Sequence, residues 1–87
     1  MAKIVFFKSK DCPNCPRVYA ILLKLLGEKG LSEDVVEVRD IGDPEAKTDL
    51  IMLGALSVPT VVVGKKVLVN PTESELRRAL NNVKISE

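Results

Sequence analysis

Two cysteines separated by two residues, Cys12-Pro13-Asn14-Cys15, stand between an apolar run, Ile4-Val5-Phe6-Phe7, and a long stretch with apolar residues at helical spacing. Few folds accommodate that order. The run before the cysteines is rich in β-branched and aromatic residues without polar alternation, and predicts a strand over residues 2–8 that is buried on both faces. After them, Val18, Ile21, Leu22, Leu25 and Leu26 form one apolar face of a helix over residues 13–28, with Arg17, Lys24 and Glu28 opposite. Pro13 and Pro16 fit the first turn, where N–H groups lack partners anyway. Gly30 is the expected terminator. The cysteine pair therefore belongs to a strand-to-helix junction, with Cys12 expected at the helix N-cap.

That location has chemical consequences. A cysteine at a helix start faces unpaired N–H groups and the positive end of the helix dipole, which favour thiolate over thiol. The thiolate is the nucleophile of thiol–disulfide exchange. Cys12 is thus the candidate attacking sulfur, and Cys15, one turn in and more buried, the candidate resolving one. Lys10 and Arg17 are candidate cations for the same site, and Lys8, Lys10 and Arg17 are either solvated charges or substrate-docking residues, while Pro13 restrains the motif loop and Asn14 fills its tip. Asp11 would oppose a thiolate and is expected to point away. A bridge between residues three apart closes so small a loop that its entropic contribution to stability is minor, which favours a redox-active disulfide over a structural staple. Tetrahedral zinc needs four ligands, and a chain with two cysteines and no histidine does not supply them. No bound metal is expected. The absence of histidine also excludes cysteine–histidine acyl transfer.

Composition narrows the class further. The 87 residues suffice for one domain, 1–87, with one modest core. The chain is 46% hydrophobic but only 3% aromatic, so the core must be aliphatic. A net charge of +1 carries no bulk signal for nucleic acid or an anionic membrane. Lys65-Lys66 is too short for a nucleic-acid patch. No segment approaches the roughly 20 apolar residues of a membrane helix, and lysines flank the short N-terminal apolar run too closely for a secretory signal. A cytoplasmic monomer is the expectation.

Further along, residues 35–39 read as a second strand, parallel to the first across a helical crossover. Asp43-Pro44 reads as an N-cap and first position of a helix ended by Gly54. Residues 60–63 and 66–69 read as core strands joined at Gly64-Lys65 by a type II′ turn. Thr72-Glu73-Ser74-Glu75 is a capping box for a last helix with Leu76, Ala79, Leu80 and Val83 inward. Tyr19 is expected at a surface edge. The order is βαβαββα, an α/β fold with a four-stranded mixed sheet, three helices, and helices on both faces.

With the strand before Cys12, the Cys12-Pro13-Asn14-Cys15 motif, the Ser57-Val58-Pro59-Thr60 segment and that element order, the whole chain resembles the thioredoxin superfamily, and most of all its small glutaredoxin-like members. The resemblance implies a thioredoxin-like fold and a dithiol–disulfide oxidoreductase. It implies a cis Val58–Pro59 bond with Pro59 packed near the cysteines, and a Val58 backbone that pairs with a bound substrate chain. Partners would be disulfide-containing proteins. Thioredoxins keep a buried acid in the first strand, where this chain has Phe6. Glutaredoxins often hold glutathione with a Gly-Gly pair and an acid after the last strand, where this chain has Val69-Asn70-Pro71-Thr72. Glutathione and a thioredoxin-reductase-type enzyme therefore both stand as electron donors. The alternative is a non-catalytic peptide-binding module of the same fold with a redox-gated site.

Overall fold

In the computed structural model, which describes residues 4–82, strand β1 (Ile4–Lys8) is the axis of the molecule. It pairs in parallel with β2 (Val36–Asp40) on one flank and antiparallel with β3 (Thr60–Val63) on the other. The hairpin strand β4 (Lys66–Val69) completes a four-stranded mixed sheet in the order β2-β1-β3-β4. The expected order βαβαββα is the observed one, and the fold is thioredoxin-like.

Alternation along β1 explains the two layers. Ile4 and Phe6 join an apolar cluster with α1 (Cys15–Glu28) and α3 (Glu73–Asn82), whereas Phe7 points the other way, to a smaller cluster beneath α2 (Pro44–Met52). In β3, Val61 and Val63 face the first cluster and Val62 the second. A strand whose two faces are both covered has no polar alternation, as its sequence shows. The larger cluster contains Val18, Leu22, Leu25 and Leu26 of α1 and Leu76, Ala79 and Leu80 of α3. Val83, assigned to the same face in sequence, lies outside the described residues, as do residues 2 and 3 of the expected first strand.

Helix ends follow their capping chemistry. At the end of α1, Gly30 has φ +73°, its N–H donates to the Gly27 carbonyl (3.1 Å), and Leu31 N–H donates to the Leu26 carbonyl (2.9 Å). Gly54 repeats this Schellman pattern after α2 with φ +82°. Asp43 accepts from Glu45 N–H at the start of α2. At α3, Thr72 and Glu75 form the reciprocal capping box (2.9 and 3.2 Å). In the hairpin, Gly64 has φ +62° and Lys65 has no positive φ, as a type II′ turn requires.

Two expectations need correction. The second strand begins at Val36, because Glu33–Val35 forms a 3₁₀ turn capped by the Ser32 hydroxyl. Its buried residue, Val35, reaches the core from that turn. Residues 67–69 are also not core. Their strand is an edge, so Val67 and Leu68 are half-buried and Val69 is exposed.

Candidate functional site

The motif hangs between the end of β1 and the start of α1. The helix begins later than expected, at Cys15, with Asn14 as its N-cap and no side-chain cap bond. Cys12 lies two residues upstream of that cap. The sequence explains the shift: Pro13 and Pro16 each lack an N–H, and the first helical bond is Val18 N–H to the Asn14 carbonyl (3.0 Å). Of the donors this leaves in the first turn, the Cys15 N–H points at the Cys12 sulfur at 3.1 Å. Cys12 thus receives the hydrogen bond expected of a helix start without occupying the cap.

Cys12 and Cys15 are joined as a disulfide, their Cα atoms 5.4 Å apart. Cys12 is half-buried and Cys15 only 3% exposed. This asymmetry is the one assigned from sequence. Among the described residues no three of His, Cys, Asp and Glu gather as a metal ion would require, and no helix is long and apolar enough to cross a membrane.

A cleft of about 370 Å³ opens beside the disulfide. It is lined by the buried Phe6 and Cys15, the half-buried Lys8, Ser9, Cys12 and Tyr19, and the exposed Lys10, Pro16 and Val38. Of the residues singled out in sequence, the structure brings Cys12, Cys15, Lys8 and Lys10 together here. Arg17, Pro13 and Asn14 are exposed and do not line the cleft, nor does Asp11.

Tyr19 is the correction. It is half-buried in the cleft wall and leans on Phe6, ring centroids 5.0 Å apart at 44°, an arrangement that suits two aromatic quadrupoles. Burial, and then the nearby Glu33 carboxylate, push its phenol above the ordinary value of 10.0. The spacing of Cys15 and Tyr19, one helical turn apart, contained the signal that they share a face. Phe6 and Lys8, two apart in β1, share a face for the analogous reason. Val38 joins them because the parallel register sets it opposite Phe6, and no local pattern encodes that.

Val58 and Pro59 lie on the other flank of β1, at the entrance to β3. Their peptide bond is cis. Pro59 is buried, and its carbonyl accepts from Asn70 N–H (2.7 Å). Thr60, fully buried, donates its hydroxyl to the Ser57 carbonyl (2.7 Å). Val58 packs against both apolar clusters.

Comparison with known proteins agrees with this geometry. Residues 1–81 match the family model described as a thioredoxin domain. A probable thioredoxin of Archaeoglobus fulgidus is 28% identical over 100% of this chain and 94% of its own length. Among solved structures, a single-site variant of the thioredoxin-like protein BC3987 superposes with a TM-score of 0.73 at 28% identity, covering 93% of this chain and 97% of the other. The glutaredoxin of the same Archaeoglobus superposes at 0.64, also at 28% identity, covering 92% and 87%. With its sheet order, its cysteine pair at a helix start and a family match over nearly its whole length, the chain belongs to the thioredoxin-domain family.

Proposed function

We propose that this protein is a dithiol–disulfide oxidoreductase that reduces protein or small-molecule disulfides through Cys12 and Cys15. One observation carries the proposal: the Cys15 N–H aimed at the half-buried Cys12 sulfur, a donor that stabilises a thiolate when the bridge is open. Cys12 Sγ attacks a substrate disulfide, a mixed disulfide forms and one substrate thiolate leaves. Cys15 then loses its proton to solvent and attacks Cys12 Sγ. The second substrate thiolate leaves, and the Cys12–Cys15 bridge forms. Two electrons pass from the dithiol to the substrate. The chain supplies no histidine for the proton, so a carboxylate or water takes it, and the lack of a carboxylate in the cleft lining favours water.

A protein substrate would lie along the Val58 backbone as an added strand, with Pro59 setting the turn beside it. The electron donor is glutathione or a thioredoxin-reductase-type enzyme, and the working form is a cytoplasmic monomer. The peptide-binding alternative draws support from Leu56, two residues before Val58 and 86% exposed.

Equilibration of the pair against a dithiol redox buffer, with thiol trapping and intact-mass readout, tests the proposal. A reversible two-electron transition between about −270 and −180 mV is expected. A bridge that stays closed below about −300 mV, or never forms, would overturn it in favour of a structural or purely binding role.

A further inference from the structure

The chemistry of the cleft is uneven in an informative way. Phe6, Tyr19, Pro16 and Val38 in its lining are apolar or aromatic, and the charged lining residues are two lysines, Lys8 and Lys10, with no carboxylate among them. Lys24, Arg39 and Arg77 each pair with an acid, whereas Lys8 and Lys10 make no ion pair among the described residues. Val38, on the sheet edge, leaves 45% of its surface uncovered in the cleft wall. A volume of about 370 Å³ is at the low end for small-molecule sites.

The cleft does not include Val58, along whose backbone an added peptide strand would lie. It is built from β1, β2 and α1, while Val58 and Pro59 lead into β3 on the opposite flank of β1.

Resting on the redox function above, we propose that this cleft seats one arm of a small disulfide that has an apolar body and an anionic end, with the apolar part against Tyr19 and Val38 and the anion at Lys8 and Lys10. The seated arm holds its sulfur at Cys12. Attack by the Cys12 thiolate forms the Cys12–substrate bond, breaks the substrate S–S bond and expels the other arm as a thiolate. Cys15 gives its proton to water and displaces the seated arm, so the dithiol is oxidised and the disulfide becomes two thiols.

Rapid mixing of the reduced protein with two aryl disulfides tests this: dithiobis(nitrobenzoate), which is anionic, and dithiodipyridine, which is neutral. The quantity read is the ratio of the two rates, in which changes in Cys12 nucleophilicity largely cancel. In a Lys8→Gln/Lys10→Gln double variant the anionic-to-neutral ratio is expected to fall roughly fivefold. Val38→Glu, which keeps both lysines and adds a carboxylate to the wall, is expected to lower it too. The variant Lys47→Gln/Lys65→Gln removes the same charge away from the cleft and controls for net charge. An unchanged ratio in the cleft variants, or an equal fall in the control, overturns the proposal while leaving the redox function standing. If neither probe closes the Cys12–Cys15 bridge, as read by intact mass, the redox function itself fails and the cleft assignment with it.

Discussion

The backbone N–H of Cys15 lies 3.1 Å from the Cys12 sulfur, and Pro13 between the two cysteines and Pro16 after them lack an N–H that could compete. In the reduced protein that donor favours the charged form of Cys12. The Cys12 thiol is expected to titrate below the value of a free cysteine. Ultraviolet thiolate absorbance in a Cys15→Ser variant checks this, since it leaves the N–H and removes the second thiol. A value at or above the free-cysteine one would show that the hydrogen bond does not activate the sulfur.

The same variant has a chemical readout. Without Cys15 to resolve it, the Cys12–substrate bond persists. Cys15→Ser is expected to accumulate Cys12 mixed disulfides when offered oxidised substrates, and Cys12→Ser to accumulate none. Mass spectrometry of the adducts decides: equal trapping by both variants would remove the distinction between the two cysteines, and trapping by Cys12→Ser alone would reverse the assigned roles.

Phe6 supports both the core and the cleft, at 1% exposure and in contact with Tyr19. Phe6→Ala is expected to cost about 3–5 kcal/mol of unfolding free energy, measured by denaturant titration. A loss below about 1 kcal/mol would mean the cluster collapses around the gap.

Gly54 closes α2 at φ +82° with nothing within 4 Å of where a Cβ would stand. Gly54→Ala therefore meets no steric neighbour, and only backbone strain remains. About 1–2 kcal/mol of destabilisation is expected. A neutral outcome in denaturant titration would indicate that the Schellman turn rearranges freely.

The Glu75 carboxyl is held below its ordinary value of 4.5, first by the Thr72 backbone N–H and then by the Thr72 hydroxyl. Glu28 is lowered as well, chiefly by the hydrogen bond from Arg77. A carboxylate with a depressed folded pKa stabilises the protein above its unfolded pKa, and that contribution is lost as pH falls through the folded value. The melting temperature should therefore decline as pH drops below 4.5, and more shallowly in a Glu28→Gln/Glu75→Gln variant. Parallel declines in both proteins would place the acid sensitivity elsewhere. Thr72→Ala, which removes the cap, should cost about 1 kcal/mol at neutral pH.

Elements whose causes lie within a few residues were legible in the chain itself. The alternation-free run before Cys12, the 3.6-residue period of Val18, Leu22, Leu25 and Leu26, the Thr72–Glu75 box and the Gly64 turn each carry their own physical signature, and each appears where that signature places it. The cysteine pair and its unequal burial followed from the same local logic. Displacement of Cys12 from the helix cap was decided by which N–H groups two prolines leave behind, a bonding detail finer than the period. The tertiary structure alone decided that β4 is an exposed edge, that Tyr19 turns inward onto Phe6, and that Val38 stands opposite Phe6 across the parallel register. Strand order and register arise from packing three helices onto two sheet faces, and the cleft exists only where β1, β2 and α1 converge. Its lining comes from residues between Phe6 and Tyr19 and from Val38, and the meeting of Val38 with the rest is a property of the assembled core.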